Sequence, residues 1–472
     1  MFAGQGSILQ GLCPSGKTYG VLLSGGLAEE GGDKTLAFYA GVRGLFLEKD
    51  FMKIIADFHV HSKYSRATSK EMEVRTLSRY AGMKGIHLLG TGDFTHPQYF
   101  AELQGALEPL GNGLLKLKDK TSPVHFILTA ETSHIFSVKG KTKRVHVILI
   151  TPSFEAVAKI NQQLARRGNL SSDGRPIFGM HVKDVVKLVL DIAPDSLIVP
   201  AHAWTPWFSV FGSMSGFDSI EECFEEQAKN IYAIETGLSS DPAMNWRLSK
   251  LDRLTLISNS DSHSPSRIGR EANVFDCNMD YKEVLDVIRR GDPRRFLYTI
   301  EFFPEEGKYH YDGHRNCGVV FDPKTSRENE FLCPKCGKRL TIGVMYRVDE
   351  LADRPEGSRP GGKIPFKNMV PLDEIIADVL GKGVNTQTVA REYEKMIRAL
   401  GPEIGILLEK NEKEIRACAD PRVAQGILNV REGRVKVEPG YDGVYGKISI
   451  YDSNGQASAS SSQSTAKQGE LF

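Results

Sequence analysis

Seven short apolar runs between residues 53 and 258 each end in, or carry, side chains able to bind a metal ion, and this arrangement restricts the fold more than any other feature of the chain. The first, 53–61, is strand-like and delivers His59 and His61. Residues two apart on a strand share a face, so both imidazoles can reach one ion. The second run, 86–90, leads into Asp93 and His96, and the third, 125–130, ends at Glu131. The fourth, 144–150, carries His146, and the fifth, 197–200, opens onto His202. The sixth, 231–234, ends at Glu235, and the seventh, 254–258, runs into Asp261 and His263. Between and after them, 70–82, 154–167, 182–192, 243–251 and 281–290 carry helical patterning, with Val157, Ile160 and Leu164 on one face of the second. Alternating runs of this kind predict β/α units around a parallel sheet. Polar groups at the C-terminal ends of such strands are where a β/α barrel keeps its active site. A mixed His/Asp/Glu set suits Zn²⁺, Mn²⁺ or Fe²⁺ better than Mg²⁺ or Ca²⁺. The pattern predicts a seven-stranded barrel built round a metal centre.

The remainder of the composition is ordinary for a soluble protein. The 472 residues leave room for two to four domains, and 40% hydrophobic with 25% charged residues is ordinary. A net charge of +1 means that a nucleic-acid surface must come from local patches. Seven cysteines, two of them in Cys333-Pro334-Lys335-Cys336, suit a reducing compartment and not a disulfide scaffold. No run is long enough to span a membrane and no signal sequence opens the chain, so a cytoplasmic protein is expected.

Residues 1–51 are glycine-rich with little periodicity. Gly11-Leu12-Cys13-Pro14-Ser15-Gly16-Lys17-Thr18 matches the phosphate-loop pattern, but that loop needs a buried strand before it and a helix after it. Neither flank reads that way. Met52 stands one residue before the first barrel strand, and codons for Leu47-Glu48-Lys49-Asp50 can spell a purine-rich ribosome-binding sequence. We expect residues 1–51 to be an upstream extension produced by a misassigned start.

His59-Val60-His61, Gly92-Asp93, Glu131, His146, Pro200-Ala201-His202 and Ser260-Asp261-Ser262-His263 resemble the ordered motifs of the PHP (polymerase and histidinol phosphatase) family. The resemblance implies a distorted (β/α)7 barrel over 52–300 that holds two or three divalent ions for phosphoester hydrolysis. It implies His59, His61, Asp93, Glu131, His146, His202, Asp261 and His263 as ligands, with Glu131, Asp261 and His263 at the chemistry. Glu235 would orient a ligand. The sequence departs from the family at Phe94, where many members carry another histidine that His96 would replace, and at Ala67.

Around this set, Trp204 and Trp207 lie on the loop after His202, where they either stack on an unpaired base or pack over the barrel mouth. Arg66, Arg267 and Arg270 flank the first and last motifs and would hold phosphates or form ion pairs. Farther on, His314 and Cys317 with Cys333 and Cys336 have the spacing of one structural zinc site over 301–353, with His310 competing for the histidine place. Lys335, Lys338 and Arg339 make this knuckle basic. Residues 366–452 look helical, over 372–380, 386–400 and 404–408, and the Gly381-Lys382-Gly383-Val384 turn fits either a helix-hairpin-helix contact to phosphate or plain packing.

The order of barrel, zinc knuckle, helical segment and Glu438-Pro439-Gly440-Tyr441-Asp442-Gly443-Val444-Tyr445-Gly446, with Ser65-Arg66-Ala67-Thr68-Ser69 and 343–352, resembles the endonuclease Q family within the PHP group. That resemblance implies a nucleoid-associated DNA repair nuclease. It would cut 5′ to deaminated bases (uracil, hypoxanthine, xanthine) or abasic sites and leave a 3′-hydroxyl and a 5′-phosphate. Residues 453–467 read as a flexible tether, and Gln468, Leu471 and Phe472 resemble a peptide that binds a DNA sliding clamp. Two other readings remain: a phosphoesterase acting on a small phosphomonoester, and a DNA-binding accessory protein without catalysis.

Overall fold

The computed structural model describes residues 9–12, 18–21 and 53–451. The chain divides into two compact units, Met1–Phe51 and Met52–Phe472. In the first unit, Leu9–Leu12 and Thr18–Val21 are antiparallel strands, so the phosphate-loop pattern leads into a strand where a nucleotide site needs a helix N-terminus. The expected extension and the clamp-like tail otherwise lie outside the described residues.

The second unit is a mixed α/β fold around a central sheet. Lys53–Asp57 sits in its middle, buried on both faces, as its Ile-Ile-Ala sequence requires of a strand covered from two sides. Leu88–Gly90 and His125–Val138 follow in parallel. All seven expected runs contain strands. The sheet is not wholly parallel, however. Lys139-Gly140 turns the chain straight back, so Lys141–Thr151 runs antiparallel to both His125–Val138 and Leu197–Pro200. Both residues of this turn have positive φ, the geometry of a two-residue hairpin.

Ala233–Glu235 and Thr255–Ile257 form a separate parallel pair. Backbone bonds tie it to the rest at two places: the Ala203 N–H donates to the Glu235 carbonyl at 3.0 Å, and the His61 N–H donates to the Ser262 carbonyl at 2.9 Å. On its other side Lys53–Asp57 pairs with Ala272–Asp276, and the sheet continues through Phe296–Glu301 to Phe366–Asn368.

Helices follow the predicted faces. Val182–Ile192 buries Val182, Val185, Val186 and Val189, each worth roughly 1.5–3 kcal/mol if fully buried. Ser153 caps Phe154–Leu164 through the Ala156 N–H, and Asp280 caps Tyr281–Arg290. The expected 243–251 helix is instead a short turn of helix, Pro242–Asn245, followed by the 3-10 turn Ser249–Leu251. Five further helices, Leu372–Leu380, Gln387–Leu400, Glu403–Leu408, Glu412–Cys418 and Pro421–Arg431, share one hydrophobic core with the sheet helices. Among the described residues no helix is long and apolar enough to cross a membrane.

Candidate metal centre

His59 and His61 leave the first strand on the same side and become nearly fully buried. Asp57, two residues earlier, fixes that exit: its carboxylate accepts the N–H groups of Ser260 at 3.1 Å and Gly269 at 3.0 Å. Burial pushes the Asp57 carboxyl up to about 6 despite these bonds. The same contacts draw the Asp261 loop against the first strand.

Three sets of donor atoms gather here, each within 4.8 Å: His59, His61 and Glu131; His61, Asp261 and His263; Glu131, His146 and His202, with Glu131 and His146 placed mid-strand because their strands run on past the expected ends. Glu131 joins two of the sets. Its Oε1 lies 2.7 Å from His146 Nδ1 and 3.1 Å from His202 Nε2, and its Oε2 lies 3.3 Å from His61 Nε2. His61 Nε2 is 3.1 Å from Asp261 Oδ1. His59 Nε2 is buried without a hydrogen-bond partner and faces Glu131 Oε2 at 3.5 Å and Asp261 Oδ1 at 3.6 Å. An imidazole nitrogen left without a bond inside a ring of carboxylates is the environment a cation completes.

The electrostatics agree. Burial opposes charging of His59 and His61, but the carboxylates around them (first Glu235 for His59, first Asp93 for His61) outweigh it and hold both well above the usual histidine range. Burial would likewise push Glu131 and Asp261 up. Instead the close His146 ring, with the Arg175 and His59 charges, holds Glu131 well below the carboxylate range, and the His59 and His61 charges do the same for Asp261. The cluster demands positive charge, which divalent ions would supply in place of protons. Burial lowers His146 to about 4, so it offers a neutral ring to an ion.

Two expected residues stand behind the donors. Asp93 Oδ1 lies 3.1 Å from His61 Nδ1, while Oδ2 accepts from the Ser62 N–H, the Ser62 hydroxyl and the Ser65 hydroxyl at 2.6, 2.7 and 2.8 Å. Both oxygens are engaged, so Asp93 orients His61 and belongs to none of the three sets. Gly92 (φ +66°) permits this, because a Cβ there would lie 2.2 Å from the Val60 carbonyl oxygen. Glu235 supports His59 Nδ1 at 3.0 Å and accepts the His202 N–H at 2.7 Å, the orienting role expected of it.

Several expectations need correction. His96 does not replace the missing histidine: it caps Pro97–Ala106 and stacks on Tyr64 at 4.2 Å. Phe94 is core. Trp204 is 1% exposed and its indole N–H donates to Asn245 Oδ1 at 2.8 Å, so it packs the loop and leaves no ring face open. Trp207, 40% exposed, remains at the surface. Arg267 pairs with Glu374, and Arg270 donates to the Ser260 carbonyl at 2.9 Å, bracing the Asp261 loop. Arg66 stays exposed, 3.2 Å from Asp173.

Sequence reading missed Arg175, whose Nη1 lies 3.0 Å from Glu131 Oε2. The Glu131 charge raises its pKa further still. Gly174 beside it lets the loop approach the centre, since a Cβ there would fall 2.2 Å from Asp93 Oδ2.

Away from this centre, His314, Cys317, Cys333 and Cys336 come within 4.8 Å of one another, with Cys336 Sγ 3.6 Å from His314 Nδ1. His310 is buried elsewhere, outside the set. Burial would raise the Cys333 thiol, but backbone N–H groups of Lys335 and Cys336 lower it to about 7. Three thiols and an imidazole at this spacing fit a structural zinc ion.

Residues 371–434 match the family described as the MJ0043 C-terminal domain. The chain is 29% identical over 415 residues to the uncharacterized protein YqxK of Bacillus subtilis, covering 84% of this chain and 99% of that protein. It is 32% identical over 274 residues to the uncharacterized protein MJ0043 of Methanocaldococcus jannaschii, where the match covers 55% of this chain and 34% of the longer protein. Among solved structures, the lesion-specific endonuclease PfuEndoQ of Pyrococcus furiosus is 31% identical with a TM-score of 0.76, covering 85% of this chain and 96% of that one. A complex of endonuclease Q with a 27-mer duplex substrate with an abasic lesion at the active site is 30% identical with a TM-score of 0.75, covering 89% of this chain and 100% of that one.

Proposed function

Because this chain belongs to the endonuclease Q family, we propose that it is a metal-dependent DNA repair endonuclease that cuts the phosphodiester bond 5′ to a deaminated base or an abasic site. The observation that carries this reading is the convergence of His59, His61, Glu131, His146, His202, Asp261 and His263, from distant parts of the chain, into overlapping donor sets. We read the seven strands as a distorted (β/α)7 barrel over 52–300. The zinc knuckle over 301–353 and the helical segment over 366–452 complete the DNA-binding body. The tail 453–472, with Gln468, Leu471 and Phe472, would meet a sliding clamp.

Two or three divalent ions held by the donor sets would supply Lewis-acid activation of the phosphodiester and of an attacking water. The chain's own residues do the rest. Asp93 and Glu235 fix the rings of His61 and His59 by holding Nδ1, leaving Nε2 of each turned to the cluster. Arg175 brings a permanent positive charge to the edge of the same cluster, where a phosphoryl oxygen could take one of its N–H groups. No activated serine or cysteine is required.

The test is cleavage of a labelled duplex with one deoxyuridine or one abasic site, in Mn²⁺ or Zn²⁺. A cut 5′ to the lesion that leaves a ligatable 3′-hydroxyl is the expected result. Phosphate release from small monoesters alone, or binding without cutting, would overturn it.

A further inference from the structure

The loop leaving His202 turns Trp204 inward and Trp207 outward. Thr205 Oγ1 stands 3.1 Å from His202 Nδ1 and donates to the Trp207 carbonyl at 3.0 Å, so the exposed indole is carried on a loop bonded to a proposed ligand. The Trp207 ring meets Tyr309 edge-on at 5.7 Å. Beside Tyr309, Lys308 places its ammonium 4.4 Å over the ring of Tyr445.

Tyr445 is 70% exposed, yet its backbone is held firmly. Tyr441 and Val444 exchange both backbone hydrogen bonds (3.0 and 2.7 Å) across Asp442 and Gly443, which have φ +43° and +84°. That is a tight Asp-Gly turn with both central residues left-handed. The Asp442 carboxylate accepts the Arg315 N–H at 2.7 Å and the Thr341 hydroxyl at 2.6 Å, which fixes the turn to the segment bearing the cysteine cluster. The Gly443 N–H donates to the Lys308 carbonyl at 2.9 Å.

Single exposed apolar residues need no explanation, but Trp207, Val444 and Tyr445 are all exposed on braced backbone, Trp207 on the loop that leaves the donor His202. We propose that Trp207, Tyr309, Lys308 and Tyr445 form an aromatic, cationic ledge that grips opened DNA by stacking on unpaired bases. This rests on the nuclease reading. The ring faces would take bases of any sequence, and the exposed Lys308 and Arg315 supply charge opposite to the strand backbone.

Single-turnover cleavage of a duplex with one abasic site, titrated with enzyme in Mn²⁺, separates half-saturation from plateau rate. Tyr445→Ala and Trp207→Ala should each raise half-saturation about 5- to 150-fold, the range that base–aromatic stacking gives, with the plateau rate little changed. Tyr445→Phe should restore binding, because stacking uses the ring and not the hydroxyl. A 2-aminopurine placed beside the lesion should be quenched by the native protein and not by Tyr445→Ala. The ledge is refuted if Tyr445→Ala saturates like the native protein, if Tyr445→Phe binds as weakly as the alanine variant, or if the alanine variant instead dissociates a dimer. If the native protein binds and quenches but cuts nothing, the nuclease reading fails while the ledge stands. If it binds no lesion duplex, both fall.

Discussion

Lys84 and Glu403 form an ion pair that joins the sheet helices to the C-terminal ones, and its removal has a calculable consequence. Both side chains are almost wholly buried, with Nζ 2.6 Å from Oε2. The same Glu403 oxygen accepts the Tyr393 hydroxyl at 2.7 Å, and Oε1 accepts the Leu372 N–H at 3.1 Å. One carboxylate thus links Val74–Lys84, Leu372–Leu380, Gln387–Leu400 and Glu403–Leu408. Lys84→Met keeps the volume but strands a buried charge, which costs about 3–5 kcal/mol. For a unit of roughly 400 residues at about 2.1 cal/mol/K per residue, 4 kcal/mol lowers Tm by about 5 °C. Replacing both partners, as Lys84→Met with Glu403→Leu, should recover much of that loss, because no charge is left unpaired. Calorimetric melts of native, single and double variants read the coupling directly. A single variant within about 1 °C of native, or strictly additive variants, would refute the view that this pair locks the two parts together.

Other expectations follow from the same geometry. Asp93→Asn and Glu235→Gln should each lower metal affinity or cleavage about 10- to 100-fold while the fold survives, read by metal content and rate. Asp261→Gly should abolish cleavage yet leave Tm unchanged or raised, since glycine relieves the positive φ there; a clear fall in Tm would contradict this. Cys333→Ser should lower the zinc content expected of the four-residue set and expose the Asp312–His314 and Val319–Phe321 hairpin to hydrogen exchange. Glu301, buried and raised to about 8 against an unfolded value near ~4.3, stabilises the fold fully below about pH 4. That contribution drains away as pH climbs to about 8, because the unfolded chain ionises first, so Glu301→Gln should flatten the fall in Tm across this interval.

The donors were legible because they follow apolar runs of strand length, and seven such runs in order leave few alternatives. His59 and His61 needed only the two-residue period of a strand. What sequence could not supply was direction. Nothing in the run 144–150 says that it returns antiparallel to its predecessor, because the reversal is made by two residues, Lys139 and Gly140. Nor does a carboxylate reveal whether it will sit in front of a histidine or behind it. Asp93 and Glu131 look alike in the chain, and only the Ser62 and Ser65 donors that occupy Asp93 separate them. Trp204 and Trp207, three residues apart, were equivalent until Asn245 took the indole N–H of one. Arg175 was hidden because an arginine in a loop carries no periodic signal, and its partner Glu131 lies 44 residues away.

The backbone at the centre also bears on whether these residues were arranged for stability or for chemistry. Asp93, His202 and Asp261 have φ of +43°, +29° and +45°, and each comes shortly after the end of a strand. Phe208, whose carbonyl accepts the His146 N–H at 3.1 Å, has φ +61°. Left-handed backbone is unfavourable for side chains other than glycine, with Asp the more tolerant, and held strain of this kind costs about 1–3 kcal/mol per residue. A chain selected only for stability would place glycine or asparagine at such turns. Here the strained positions carry a histidine and two carboxylates, and each is over-determined by bonds from elsewhere: Ser62 and Ser65 on Asp93, Glu235 on the His202 N–H, and Arg270 on the carbonyl of Ser260 beside Asp261. Left-handed backbone also occurs at turns far from the centre, such as Lys139 and Asp442, but at these three positions bracing and strain coincide, which holds His202 and Asp261 toward the donors and Asp93 behind His61.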